Sequence, residues 1–162
     1  MASFADQYRR WFEYEQDAHA KMLASLRAAE AGHRDSDDFR QAVDLAAHIA
    51  SARLMWLHRL GVAPQAVDLF TRAESVDDVA AMFSRMHTAW SAYLPGVDDG
   101  ELAREFEYRS YEGLRFKDRV GDIFTQLFGH SWYHRGQIAM LLRRIGAEPA
   151  VTDFVFWSRR PI

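Results

Sequence analysis

The sequence predicts an all-α fold, a four-helix bundle with a short β-hairpin before its fourth helix. Two observations support this prediction: four long segments carry apolar residues at steps of three and four, and glycine or proline follows each of them. Those steps match the period of one face of an α-helix. A chain of 162 residues can bury a sizeable core, so a single domain is expected over residues 1–162.

Capping signals delimit the first two helices. The first is predicted from Phe4 to about Ala31, with Ser3 as its N-cap and Gly32 as its stop. The second is predicted over about residues 35–61, because an acidic run suits a helix N-terminus and a glycine suits the position after its end.

The third helix is predicted to begin after Ser75 and to end at Pro95-Gly96, with Asp78 in the capping-box position. The helical rhythm is then lost over residues 97–117.

Apolar and polar residues alternate at 105–109 and again at 113–117, which predicts the hairpin. The fourth helix is placed within residues 118–146, and the apolar tail at 152–157 is expected to pack back as a helical turn.

Composition excludes several classes of function. A net charge of −3 offers no basic surface, so nucleic acid is not an expected partner. The sequence has no cysteine, which excludes disulfides, thiolate ligands and a cysteine nucleophile, and any metal must be held by nitrogen and oxygen. There is no apolar leader and no run of about 18 apolar residues, so no membrane partner is expected and the protein is expected in the cytoplasm.

Histidines occupy apolar positions of two predicted helices. His130 and His134 lie four residues apart in the stripe of the fourth helix, and His48 lies in the stripe of the second. Side chains four apart on a helix have Cβ atoms about 5–6 Å apart, so two imidazoles there can reach one metal ion. The alternative is a hydrogen-bonded cluster in the core. A zincin is excluded, because Ser131 stands where that motif needs glutamate.

These residues form a recognisable pattern along most of the chain. The pattern consists of His48 with Trp56, the segment His130-x3-His134-Arg-Gly-Gln137, and the continuation Leu141-Leu-Arg143-x2-Gly146-x2-Pro149 with Asp153. It resembles the DinB/YfiT family. The resemblance covers the chain in helix order and is most specific between Phe116 and Asp153.

The resemblance implies a bundle with up-down-down-up connections, often assembled as a homodimer. It also implies a divalent metal ion, with zinc or nickel favoured, on His48, His130 and His134. Bacillithiol transferases and mycothiol-dependent maleylpyruvate isomerase are related proteins that use small thiols. A fold fixes the scaffold better than the substrate, so the family alone leaves the reaction open.

Three neutral ligands would leave coordination positions open for water or a substrate thiolate. The leading hypothesis is therefore a metal-dependent enzyme that transfers a low-molecular-weight thiol to an electrophilic small-molecule substrate, in stress response or detoxification. The alternatives are a non-catalytic dimeric stress-response or binding protein with a structural metal, and a metal-dependent hydrolase. The sequence identifies no general acid or base.

Expectations also exist for five other residues: His19, His87, Arg135, Gly136 and Gln137. His19 is the next candidate for a metal ligand, but the favoured interpretation places it at the boundary of the core, paired with Glu15 one turn earlier. The same two interpretations apply to His87, and the boundary position is again favoured. Gly136 is expected at a close approach of a neighbouring helix, since glycine costs about 1 kcal/mol in a helix interior. Arg135 and Gln137, which flank Gly136, are expected to orient metal ligands or loop carbonyl groups.

Overall fold

The structure, a computed structural model, describes residues 3–162 and is mostly helical, with one small antiparallel sheet. Four long helices form the bundle, so the predicted fold class is confirmed. The elements are α1 (Phe4–His33), α2 (Asp37–Arg59), α3 (Val76–Tyr93), a 3-10 turn (Leu94–Gly96), α4 (Asp99–Ala103), β1 (Glu105–Arg109), β2 (Arg115–Arg119), α5 (Val120–Arg144) and α6 (Phe154–Ser158).

Contacts near the helix ends define the directions of the four long helices. They are Tyr8 Oη with the Gly121 carbonyl oxygen at 2.9 Å, Arg27 with Asp77 at 2.8 Å, and Arg144 with Asp38 at 3.2 Å. The start of α1 therefore lies beside the start of α5, while α3 runs against α1 and α2 runs against α5. This is the up-down-down-up arrangement.

Serine caps start two of these helices as predicted. The Ser3 hydroxyl accepts a hydrogen bond from the Asp6 backbone N–H at 3.0 Å, and Ser75 accepts one from Asp78 at 3.2 Å. In both cases the aspartate side chain accepts the N-cap backbone N–H in return, which completes a capping box. The predicted end of α1 was two residues short, because the helix continues through Gly32 to His33.

The predicted hairpin is present as β1 and β2, with Glu105 opposite Arg119 and Arg109 opposite Arg115. Its second strand begins two residues later than predicted. Gly113 belongs to the turn instead, where its φ of +84° lies in the left-handed region that favours glycine. The short helix α4 was not predicted.

Apolar residues from all four long helices build the core, which includes Phe12, Phe83, Trp90 and Phe124 at no more than 4% exposure. Within residues 3–162, no helix combines the length and the apolar character needed to cross a bilayer.

We expect Ser75→Ala to lower the free energy of unfolding by about 1 kcal/mol, because it removes the cap of α3. Urea unfolding measures the change. Ser84→Ala is the matched control, since Ser84 is exposed in the middle of the same helix. Equal stability of the two variants would contradict the assigned cap.

Candidate metal centre

The antiparallel packing of α2 against α5 brings three histidines together. The Nε2 atom of His130 lies 3.0 Å from Nε2 of His48 and 3.0 Å from Nε2 of His134. One ring nitrogen from each residue lies within 4.8 Å of the other two. The sequence predicted these three residues, and the structure places them at one point.

Hydrogen bonds at the opposite ring nitrogens orient two of the imidazoles. Nδ1 of His48 lies 2.8 Å from the backbone carbonyl oxygen of Leu69, and Nδ1 of His134 lies 2.6 Å from Oε1 of Gln137. Both partners are acceptors, so each Nδ1 carries the proton and donates it. Each neutral ring therefore directs the lone pair of Nε2 toward the cluster.

Burial favours the neutral form of His130 and His134. It lowers the pKa of His130 to about 4, and the neighbouring His134 and His48 rings act in the same direction. Burial also lowers the pKa of His134, although its hydrogen bond with Gln137 opposes this shift. Neutral imidazoles are the form that binds metal ions.

The donor set fits a divalent metal ion. Two nitrogens that each lie roughly 2 Å from one ion stand about 3 Å apart. Nε2 of His130 lies at this distance, 3.0 Å, from Nε2 of His48 and from Nε2 of His134. Lone pairs that face one another at this distance repel unless a cation or a shared proton lies between them. His48, His130 and His134 are all partly exposed, so small molecules can approach the cluster.

Comparison with known proteins shows the family to which the chain belongs. A sequence model of the DinB family matches residues 1–160. The chain belongs to the DinB family. It is also similar to the protein DinB of Bacillus subtilis (strain 168), with 24% identity over 84 residues, which are 52% of this chain and 48% of that protein. The match thus spans about half the length of this curated relative.

Beneath the histidines, this DinB-family chain buries an ion pair that sequence reasoning missed. The Arg53 guanidinium of α2 donates to the Glu15 carboxylate of α1, and both residues are at most 1% exposed. The guanidinium carbon Cζ of Arg53 also lies 4.6 Å from the centre of the Phe128 ring and 5.5 Å from the centre of the Trp90 ring. The burial of Arg53 could have been predicted from helical periodicity, because Arg53 lies four residues after Ile49 and four before Leu57 on the buried face of α2.

The expectation for His19 was wrong. His19 is completely buried rather than at the boundary, and it contacts Ser131 Oγ at 2.9 Å and His87 Nε2 at 3.1 Å. It does not pair with Glu15, which contacts Arg53 instead. Burial lowers the pKa of His19 well below the usual value and lowers that of His87 to about 4, so both rings are neutral at pH 7.

The residues Arg135, Gly136 and Gln137, which follow His134, differ in their contacts. Gln137 orients His134, as expected. Arg135 instead donates to the Tyr14 hydroxyl at 2.5 Å on the other side of α5, and Tyr14 in turn donates to the Thr152 carbonyl oxygen of the C-terminal segment. The expectation for Gly136 was wrong, because a Cβ atom there would meet nothing within 4 Å.

We expect Arg53→Met to lower the free energy of unfolding by about 3–5 kcal/mol, because it leaves a buried carboxylate without its partner. The double variant Glu15→Leu/Arg53→Met should be more stable than Arg53→Met, since neither charge remains. Urea unfolding at pH 7 measures both. A double variant no more stable than Arg53→Met would contradict this assignment.

The free energy of unfolding should fall as the pH drops from about 6.5 to about 4. The pKa values of His19 and His87 are lowered in the folded state, so the unfolded chain binds more protons over this range. His87→Gln should reduce the slope, whereas the control Ser84→Ala, which changes an exposed, non-titrating side chain of the same helix, should leave it unchanged. Chemical denaturation in the presence of a chelator measures the slopes, and identical slopes would contradict the prediction.

Proposed function

We propose that this chain is a divalent-metal-dependent enzyme that transfers a low-molecular-weight thiol to an electrophilic small molecule. The observation that carries the proposal is the convergence of three partly exposed imidazoles, with one ring nitrogen of each lying within 4.8 Å of the other two. We assign His48, His130 and His134 as ligands and zinc or nickel as the ion.

The ligand set favours an anionic substrate group. The cluster consists of imidazoles alone, so its ligands contribute no negative charge. When bound, a divalent ion supplies positive charge that stabilises a thiolate relative to the thiol. Three protein ligands are also the number typical of catalytic zinc sites, which keep a position for an exogenous ligand.

The remaining residues hold and orient this arrangement. The Leu69 carbonyl and Gln137 fix the tautomers of His48 and His134, as hydrogen-bond partners of metal-ligating histidines commonly do. The sequence has no cysteine, so the transferred sulfur must come from a small molecule.

The proposed transfer is a nucleophilic displacement. The thiol releases its proton to solvent at the partly exposed cluster, and its sulfur forms a bond to the electrophilic carbon. The bond from that carbon to its leaving group breaks, and the leaving group departs with the electron pair.

Three wider expectations accompany this proposal: one domain over residues 1–162, a homodimer, and a cytoplasmic role in stress response or detoxification. The homodimer and the thiol chemistry rest on the resemblance to the family, and each needs its own measurement.

Elemental analysis of protein prepared without a histidine tag should find stoichiometric zinc or nickel in the wild type. His134→Ala should lose most of it, because two imidazoles hold a divalent ion more weakly than three. His33→Ala is the control and should retain the metal. A folded wild type that takes up neither zinc nor nickel would overturn the proposal and favour a hydrogen-bonded histidine cluster.

The thiol part has a separate readout. Adding a small thiol to nickel-loaded protein should produce a thiolate-to-metal charge-transfer absorption that is absent in His134→Ala. If no small thiol produces this absorption in fully loaded protein, the ion does not bind thiolate and the transferase proposal fails.

A further inference from the structure

Three exposed aromatic side chains lie near the histidine cluster. Phe70, Tyr111 and Tyr133 are 66%, 66% and 65% exposed. Phe70 belongs to the connection between α2 and α3, Tyr111 to the hairpin turn and Tyr133 to α5. Single exposed aromatic residues are ordinary, but here Phe70 and Tyr111 contact each other, and Tyr133 packs against a histidine of the same cluster. We call these three residues the aromatic rim.

Two residues of the aromatic rim, Phe70 and Tyr133, contact the predicted metal ligands directly. The Phe70 ring stacks on the His48 imidazole at 5.5 Å with an interplanar angle of 6°, and Tyr133 packs edge-on against His134 at 5.2 Å. Tyr111 extends this surface, because its ring lies edge-on to Phe70 at 6.0 Å.

Backbone geometry couples Phe70 to the cluster. The carbonyl of Leu69, directly before Phe70, accepts the hydrogen bond from Nδ1 of His48. The contact that orients this ligand therefore also holds Phe70 beside the cluster. A ligand held at the Nε2 atoms would lie next to one imidazole that contacts Phe70 and another that contacts Tyr133.

We propose that the aromatic rim binds a planar apolar group, such as an aromatic ring, of the molecule that coordinates at the three histidines. The proposal rests on the proposed function, since it needs a ligand anchored at the metal. It narrows the substrate class to molecules that carry an aromatic or similarly flat apolar group. Aromatic side chains favour such groups through offset-stacked and edge-to-face contacts.

The test compares two probes that share one metal-binding group. Benzohydroxamate carries a phenyl ring and acetohydroxamate carries a methyl group. Calorimetric titration of zinc-loaded wild type should show about tenfold tighter binding of benzohydroxamate, the value expected for one favourable aromatic contact. The two hydroxamates can differ in their affinity for zinc itself. This difference cancels when the ratio of the two affinities is compared between the wild type and each variant.

Phe70→Ala and Tyr133→Ala should lose this preference while zinc content and acetohydroxamate affinity stay unchanged. Phe156→Ala is the matched control, because Phe156 is an exposed aromatic residue of α6 that stacks with Arg159. It should keep the wild-type preference.

The outcomes separate the two proposals. An unchanged affinity ratio in Phe70→Ala and Tyr133→Ala would overturn the rim proposal alone. A wild type that holds zinc but binds neither probe would overturn the proposed function as well. If sedimentation shows that the rim variants dissociate a dimer while the affinity ratio persists, the rim is a subunit interface, and the substrate proposal is overturned.

Discussion

The antiparallel packing of α2 against α5 is the constraint on which the site depends. It sets the register at which His48 meets His130 and His134, and one turn of slippage would displace the partners by about 5.4 Å. Such a shift would separate nitrogens that now lie 3.0 Å apart. The cluster therefore exists only while this pair of helices keeps its register.

A polar layer inside the bundle accompanies this packing. Glu15 and Arg53 join α1 to α2, and His19 joins α1 to Ser131 of α5. Replacing a buried ion pair with well-packed apolar residues is often neutral or stabilising, so such a pair is weak grounds for stability alone. It does restrict how neighbouring helices can pack, because each buried charge must meet its partner. Through Arg53 and Ser131, the layer includes residues of the two helices that supply the histidines of the cluster, and it connects both helices to α1.

The candidate site thus combines a rigid part and an exposed part. The imidazoles come from two long helices, which hold them at fixed separations. The aromatic rim comes partly from the α2–α3 connection and the hairpin turn, segments whose few buried residues allow more variation. One scaffold can then keep the metal ligands while changing the groups that contact a substrate.

Local chemistry made much of this protein predictable. The periods of apolar residues located the four long helices, and the capping boxes at Ser3 and Ser75 located two of their starts. The alternation of apolar and polar residues before α5 indicated the hairpin. His130 and His134 needed only helical geometry, because four residues on one helix fix their spacing.

The tertiary structure decided the contacts that join separate segments. The pairing of Arg53 with Glu15, the burial of His19 and the stacking of Phe70 on His48 depend on how the segments of the chain pack against one another. Helical periodicity gives each helix an inward face, but it does not state which residue of another helix that face will meet. By itself, the sequence determined the helices and their inward faces, and the packing of those faces determined the site.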